Sequence, residues 1–291
     1  MLDLTSQGVV RALLGRHGLS PQKALGQNFI VSPALCPRIA EEGGARAGVG
    51  ALEIGPGIGA LTTQLAARCE KVVAIEIDKG LIPLLAETLA PHLNAEVVHA
   101  DALKLDLPLL VREKFGVLPF IVCANLPYYI TSALVMRLLE SGIPAQSITV
   151  MVQKDVALRF CAPLPSRGAG AVTAAIAWRA EVRRLFDVSP GSFFPRPEVE
   201  SSVIQLTPRA VPPYPVRDEA LLFGVIRAAF SQRRKTLLNC LSSALAIPKA
   251  EVAAALEAAQ VDPRARAEQL ALADFAKIAD GLSALVYSHR T

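Results

Sequence analysis

Between residues 33 and about 160, short and nearly continuous apolar runs alternate with longer amphipathic ones. The runs "ALEI" (51–54), "VVAI" (72–75), "EVVH" (96–99), "FIVCA" (120–124) and "ITVMV" (148–152) read as strands buried on both faces. Between them, "ALTTQLAARCE", "KGLIPLLAETLA" and "TSALVMRLLESG" carry helical spacing, and Gly142 followed by Pro144 stops the last of these. Such alternation predicts an α/β fold, a doubly wound Rossmann-like parallel sheet with right-handed crossovers. The segments "AAIAWRAEVRRLF" and "SSVIQLTP" are expected to close the sheet as a pair of strands. Four prolines within residues 208–215 mark a boundary. Beyond it, "LLFGVIRAAF", "RKTLLNCLSSALA" and "KAEVAAALEAAQ" are helical. The expected organisation is a larger domain over 1–208 and a small helical domain over 209–291.

The chain has 291 residues, and 52% of them are hydrophobic, enough for a large core plus a small one. No apolar run is long enough to cross a membrane, and the charged N-terminus does not resemble a signal peptide. The five scattered cysteines lack a C-x-x-C pair and are expected as buried thiols in a reducing cytoplasm. The four histidines have no metal-ligand spacing, so no metal is expected. Net charge is +4, and residues 208–291 hold 11 Lys and Arg against 8 Asp and Glu. The excess leans toward the C-terminal part and permits an anionic partner there.

Chemistry concentrates at the strand ends. "LEIGPGIGALT" sets Gly55, Gly57 and Gly59 between a strand and a helix, where backbone can approach a ligand closely. Glu76 ends the next strand, some twenty residues downstream, where a carboxylate can accept both ribose hydroxyls. A nucleoside cofactor follows, but the loop alone fits NAD(P) and S-adenosylmethionine equally. Asp101, at the end of the third strand, can accept from an adenine amino group, with Ile77 and Ala102 flanking the ring.

The stretch "CANLPYYITS" (123–132) separates the two cofactors. An exocyclic amine on a base is a poor nucleophile, because its lone pair is shared with the ring. Accepting its two N–H bonds, by the Asn125 side-chain oxygen and the Leu126 carbonyl, favours a pyramidal nitrogen. Pro127 fixes the turn that aims this carbonyl inward, and Tyr128 offers a flat face to a base taken from its stack. Hydride transfer needs none of these.

"NLPY" together with "EIGPGIG" resembles the ribosomal small-subunit RNA adenine N6,N6-dimethyltransferase family. "LGQNFIVSP" (25–33), "MVQKDVALRF" (151–160), "SFFPRPEVESSVIQL" (192–206) and "AFSQRRKTLLNCL" (229–241) are similar to further family segments, in the same order. The resemblance implies S-adenosylmethionine as cofactor. It implies that Asn28 and the Ile30 backbone hold its methionine end above Gly55, that Glu76 holds the ribose, and that Asp101 holds the adenine. Asn125 to Tyr128 would hold the target base, with Phe193 on its other face. The implied reaction is in-line methyl transfer, twice per base, to two adjacent adenosines in the 3′-terminal hairpin of small-subunit rRNA during subunit biogenesis. Arg233, Arg234 and Lys235, at a basic helix start, would meet RNA phosphates, with Lys23 and Lys154 as further contacts. A cytoplasmic monomer acting on a 30S precursor is expected. Ala169 and Tyr129 depart from the family's usual Tyr and polar residue. The rivals are a large-subunit rRNA methyltransferase of the macrolide-resistance type, a non-catalytic assembly factor on this fold, and an NAD(P) oxidoreductase.

Overall fold

A computed structural model describes residues 2–22 and 25–288 and divides them into two compact units. The first comprises Met1–Ala157 and Val182–Pro208, the second Leu158–Glu181 and Arg209–Thr291. Residues 158–181 thus group with the C-terminal helices, where a boundary at 208 alone places them with the sheet.

In chain order the first unit holds α1 (Gln7–Arg16), β1 (Phe29–Ile30), α2 (Leu35–Gly43), β2 (Gly50–Ile54), α3 (Ala60–Ala66), β3 (Lys71–Glu76), α4 (Leu81–Leu89) and β4 (Ala95–His99). It continues with α5 (Leu107–Phe115), β5 (Phe120–Asn125), α6 (Thr131–Glu140) and β6 (Ala145–Gln153). After α7 (Lys154–Phe160), and α8 (Ala171–Arg179) of the second unit, come β7 (Ala180–Val188), β8 (Phe193–Phe194) and β9 (Ser201–Pro208). The seven-stranded sheet has the order β4-β3-β2-β5-β6-β9-β7. Its pairs from β4 to β6 are parallel, whereas β9 runs antiparallel to β6.

Burial follows strand position. β2 is buried throughout and β5 up to its final Asn125, because both lie inside the sheet. "EVVH" departs from the expected two-faced burial, because β4 is an edge strand. One core joins Ile39 of α2, Leu65 of α3 and Leu84 of α4 to Ala51, Val72, Ile121 and Cys123 of the strands. α5 begins cleanly because the Asp106 carboxylate accepts the Leu109 N–H at 3.0 Å. Cys36, Cys69, Cys123 and Cys240 are buried thiols.

The strand order reverses between β2 and β5, which lie side by side although β3 and β4 intervene in sequence. At such a switch point the connections leave in opposite directions and open a crevice at the carboxyl ends of the strands.

The expected strand over 174–186 is half helix. Residues 171–179 form α8, and β7 starts only at Ala180, where apolar and charged residues begin to alternate. The Ala-rich first half favours helix. Thr173 Oγ1 accepts the Gly170 N–H at 3.0 Å and donates to the Arg159 carbonyl at 2.8 Å, fixing the helix start.

The second unit adds α9 (Glu219–Ala229), α10 (Leu237–Leu245), α11 (Lys249–Ala258) and α12 (Leu272–Ser288). Trp178 is fully buried and donates to Glu219 at 2.8 Å. Phe230 stacks on Phe275 with ring centroids 5.9 Å apart. Among the described residues no helix is long and apolar enough to cross a membrane.

Candidate functional site

The crevice at the switch point is an open cleft beyond the carboxyl ends of the strands, the place where this kind of sheet takes its ligands. The segment 25–30 and the carboxyl ends of β2, β3, β4 and β5 line it. The sheet register brings these ends level, with Ile54 beside both Ile75 and Ala124.

After β2 the chain turns through Gly55 and Gly57, at φ +73° and +59°. At Gly57 a Cβ would come within 3.2 Å of the Phe29 ring, so a side chain there is strained by conformation and crowded as well. The turn closes through the Gly59 N–H, which donates to the Pro56 carbonyl at 2.9 Å.

Glu76 lies at the end of β3, almost wholly buried. Its carboxylate accepts the Asp78 N–H at 2.8 Å and the Gly57 N–H at 3.3 Å. Burial raises its pKa, while these backbone donors pull the other way. Glu76 therefore braces the glycine turn. Ile77 beside it is half-exposed at the cleft wall. Asp101 does not start a helix. Its carboxylate accepts the Leu103 N–H at 3.0 Å in a tight turn, with Lys104 Nζ at 3.6 Å. Ala102 next to it is buried.

Asn125, the last residue of β5, donates from Nδ2 to the main-chain carbonyl of Asn28 at 3.1 Å. The Asn28 side chain itself donates to the Gly26 carbonyl at 3.2 Å. Beyond Asn125, the Leu126 N–H donates to the Met151 carbonyl at 3.3 Å, and Pro127 accepts from the Ile130 N–H at 3.2 Å and from Thr131 Oγ1 at 3.0 Å. These bonds hold the turn rigid. Tyr128 lines the cleft, half-buried, and its hydroxyl shares a 2.8 Å hydrogen bond with Ser201. Burial raises the phenol's pKa, so it stays neutral near pH 7. Tyr129 is 60% exposed at the rim, and Ala169 is buried in the second unit.

Asn28, Ile30, Gly55, Gly57, Glu76, Ile77, Asp101, Ala102 and Asn125 to Tyr128 therefore meet in one cleft. Other expected residues do not. Phe193 is 4% exposed, packs in the core with its backbone paired to Ile30 through the short β1–β8 ladder, and is not among the residues that line the cleft. Arg233, Arg234 and Lys235 are exposed but form the turn before α10 rather than its start. The positive end of a helix dipole disfavours cations in the first turn. Arg233 also donates to the Arg167 carbonyl at 3.3 Å. Lys154 is paired with Asp187 at 3.1 Å and Glu200 at 2.7 Å, which neutralises its charge. Lys23 lies outside the described residues.

The sequence pattern passed over three residues here. Glu53 is a carboxyl in an otherwise apolar strand, 1% exposed, and its Oε2 has no hydrogen-bond partner. That lone charge in a buried run was its one signal. Asp78 accepts from Gln27 at 2.7 Å and Gln22 at 3.0 Å, tying the N-terminal segment to the cleft. Ser201 is the third.

A profile of the family described as ribosomal RNA adenine dimethylase matches residues 18–283. The ribosomal RNA small subunit methyltransferase A of Geobacillus thermodenitrificans is 43% identical over 287 residues, covering 97% of this chain and 98% of the relative. That of Shouchella clausii is 43% identical over 283 residues, covering 96% of each. Among solved structures, the 23S rRNA methyltransferase ErmE is 28% identical with a TM-score of 0.66, covering 88% of this chain and all of that one. A dimethyladenosine transferase from Plasmodium falciparum shares the fold at 24% identity and a TM-score of 0.71, covering 86% of this chain and 95% of its own.

Proposed function

The chain belongs to the ribosomal RNA adenine dimethylase family, and on that premise we propose that it transfers methyl groups from S-adenosylmethionine to N6 of two adjacent adenosines in the 3′-terminal hairpin of small-subunit rRNA. It acts in the cytoplasm, as a monomer, on the assembling small subunit. The observation that carries this reading is the bond from Asn125 Nδ2 to the Asn28 carbonyl, which leaves Oδ1 of the same amide as the acceptor for an incoming amine.

The cleft fits a cationic nucleoside cofactor. Gly55 and Gly57 keep side chains off the floor. Glu76 and Asp101 line the cleft, with no Lys or Arg among its described lining residues. A dinucleotide pyrophosphate would meet these acids without a counter-charge, whereas a sulfonium and an ammonium suit them. Glu76 holds the ribose, Asp101 the adenine amino group between Ile77 and Ala102, and Asn28 with the Ile30 backbone the methionine end.

When bound, S-adenosylmethionine supplies a methyl group already activated on a sulfonium. The protein's part is to position the acceptor. Asn125 Oδ1 and the Leu126 carbonyl accept the two amine N–H bonds, and Tyr128 carries the base on its ring. No side chain has to take a proton before attack, because the nitrogen becomes acidic only once it carries the new methyl. Orientation supplies most of the rate. Arg233, Arg234 and Lys235 contact RNA phosphates from the second unit.

The deciding experiment is transfer from labelled cofactor to purified undermethylated small subunits and to large subunits, with the labelled nucleoside identified. Dimethyladenosine in the small subunit alone is expected. Labelling of the large subunit would move the chain to the macrolide-resistance branch.

A further inference from the structure

Tyr128 lines the cleft, and among the described residues no hydrogen bond from its own loop holds its side chain. The hydrogen bonds that shape residues 125–131 are made by backbone, by the Asn125 amide and by the Thr131 hydroxyl. Among the described residues its side chain's one hydrogen bond is at the far end of the ring, with Ser201 Oγ at 2.8 Å. Ser201 is well fixed. It is fully buried, opens β9, and pairs with Gln153 at the end of β6. The next step of the same ladder is the Lys154 N–H donating to the Glu200 carbonyl at 3.0 Å.

We propose that Ser201 is a positioning residue for methyl transfer: its hydroxyl clamps the Tyr128 phenol and so sets the plane of the ring on which the target adenine lies. The proposal rests on the function proposed above. A ring tethered at both ends, by Cα on the β5–α6 turn and by Oη on β9, loses its freedom before the base arrives. A stacking partner with free torsions must be ordered during binding, and that ordering opposes the interaction. The clamp also explains a phenol at this place, where stacking alone would be served by phenylalanine. The partners are 73 residues apart in sequence, so no local motif announces the contact.

The test is a double-mutant cycle on methyl transfer to undermethylated small subunits, with Ser201→Ala, Tyr128→Phe and the two combined. Each single change is expected to lower kcat/KM roughly 2- to 12-fold, the worth of one ordinary neutral hydrogen bond. The double variant should fall no further than either single one, and cofactor affinity should stay that of the wild type in all three. Ser201→Thr, which keeps the hydroxyl, should recover most of the rate. Independent, multiplying effects would overturn the proposal, as would a fully active Ser201→Ala. If Ser201→Ala fails to fold, Tyr128→Phe decides alone, because it removes the same bond: full activity there overturns the clamp. An inactive wild type would overturn the proposed function and the clamp together. An active wild type with uncoupled variants overturns the clamp only.

Discussion

The side-chain amide of Asn125 reaches the main-chain carbonyl of Asn28 across 97 residues of sequence, at 3.1 Å. One amide thereby does two jobs. Its nitrogen end holds the chain at Asn28, and on the proposed function its oxygen end accepts from the incoming amine.

Replacing Asn125 tests both ends. Asn125→Ala removes donor and acceptor and should cost roughly 5- to 150-fold, mainly in kcat, since the lost bond is strongest as the nitrogen pyramidalises. Asn125→Asp keeps an acceptor but sets a carboxylate against the Asn28 carbonyl, with no hydrogen to give. It should fall nearly as far. Steady-state kinetics on small subunits measure both, and a carboxylate variant with wild-type kcat would mean the Asn28 tether is irrelevant to turnover.

Glu76 accepts the Gly57 and Asp78 backbone N–H groups, and on the proposed function it also holds the ribose. Glu76→Ala should weaken S-adenosylmethionine binding roughly 10- to 100-fold, the loss of one or two charge-assisted hydrogen bonds. Titration calorimetry reads it directly. Undiminished affinity in a folded variant would move the ribose contact elsewhere.

What the sequence made legible was whatever is local. The glycine turn, Glu76 and Asn125 each follow directly on a strand, and strand ends are visible as the last residues of apolar runs. The contacts that organise those residues are not local. Asp78 meets Gln27 51 positions away, and Tyr128 meets Ser201 73 positions away. Lys154 read as a free cation because its partners Asp187 and Glu200 come from β7 and the segment before β9. Only the family resemblance set Phe193 against the base, and a sequence does not state which side of a two-residue strand is buried. The limits of α8 and β7 blurred because an Ala-rich helix runs into a strand without a breaker between them.

The basic turn separates binding from chemistry. Replacing Arg233, Arg234 and Lys235 with Ala should weaken RNA binding and flatten its log–log salt dependence by roughly 0.7 to 1 per lost phosphate contact. Arg234 and Lys235 should contribute more than Arg233, whose guanidinium is already engaged by the Arg167 carbonyl. Cofactor affinity should not change, because the cleft is built wholly from the first unit. Filter binding across a salt series checks this, and an unchanged slope would leave these residues as a solvated turn.

Glu53 predicts a pH dependence of stability. Burial raises its pKa to about 8, the nearby Glu76 carboxylate adds to the shift, and the Thr62 hydroxyl opposes it. Its charge in turn helps to hold the Cys36 and Cys123 thiols above their usual range, after burial. In the unfolded chain Glu53 titrates near 4.5. Below that value both states carry the proton, and the carboxyl imposes no charge penalty. Between 4.5 and about 8 the unfolded chain has lost the proton and the folded one keeps it, so stability falls as pH rises. The slope is at most about 1.4 kcal/mol per pH unit. Above the folded pKa both states are ionised and the loss levels off. Glu53→Gln keeps the shape without the titration, so its excess stability over the wild type should grow from pH 5 toward pH 8 and then become constant. Thermal melts of the two proteins without cofactor, at half-unit steps, should separate by up to roughly 3–5 °C per pH unit. Parallel melting curves at every pH would show that Glu53 is ionised in the fold, and the cleft floor would then carry a full negative charge before any ligand enters.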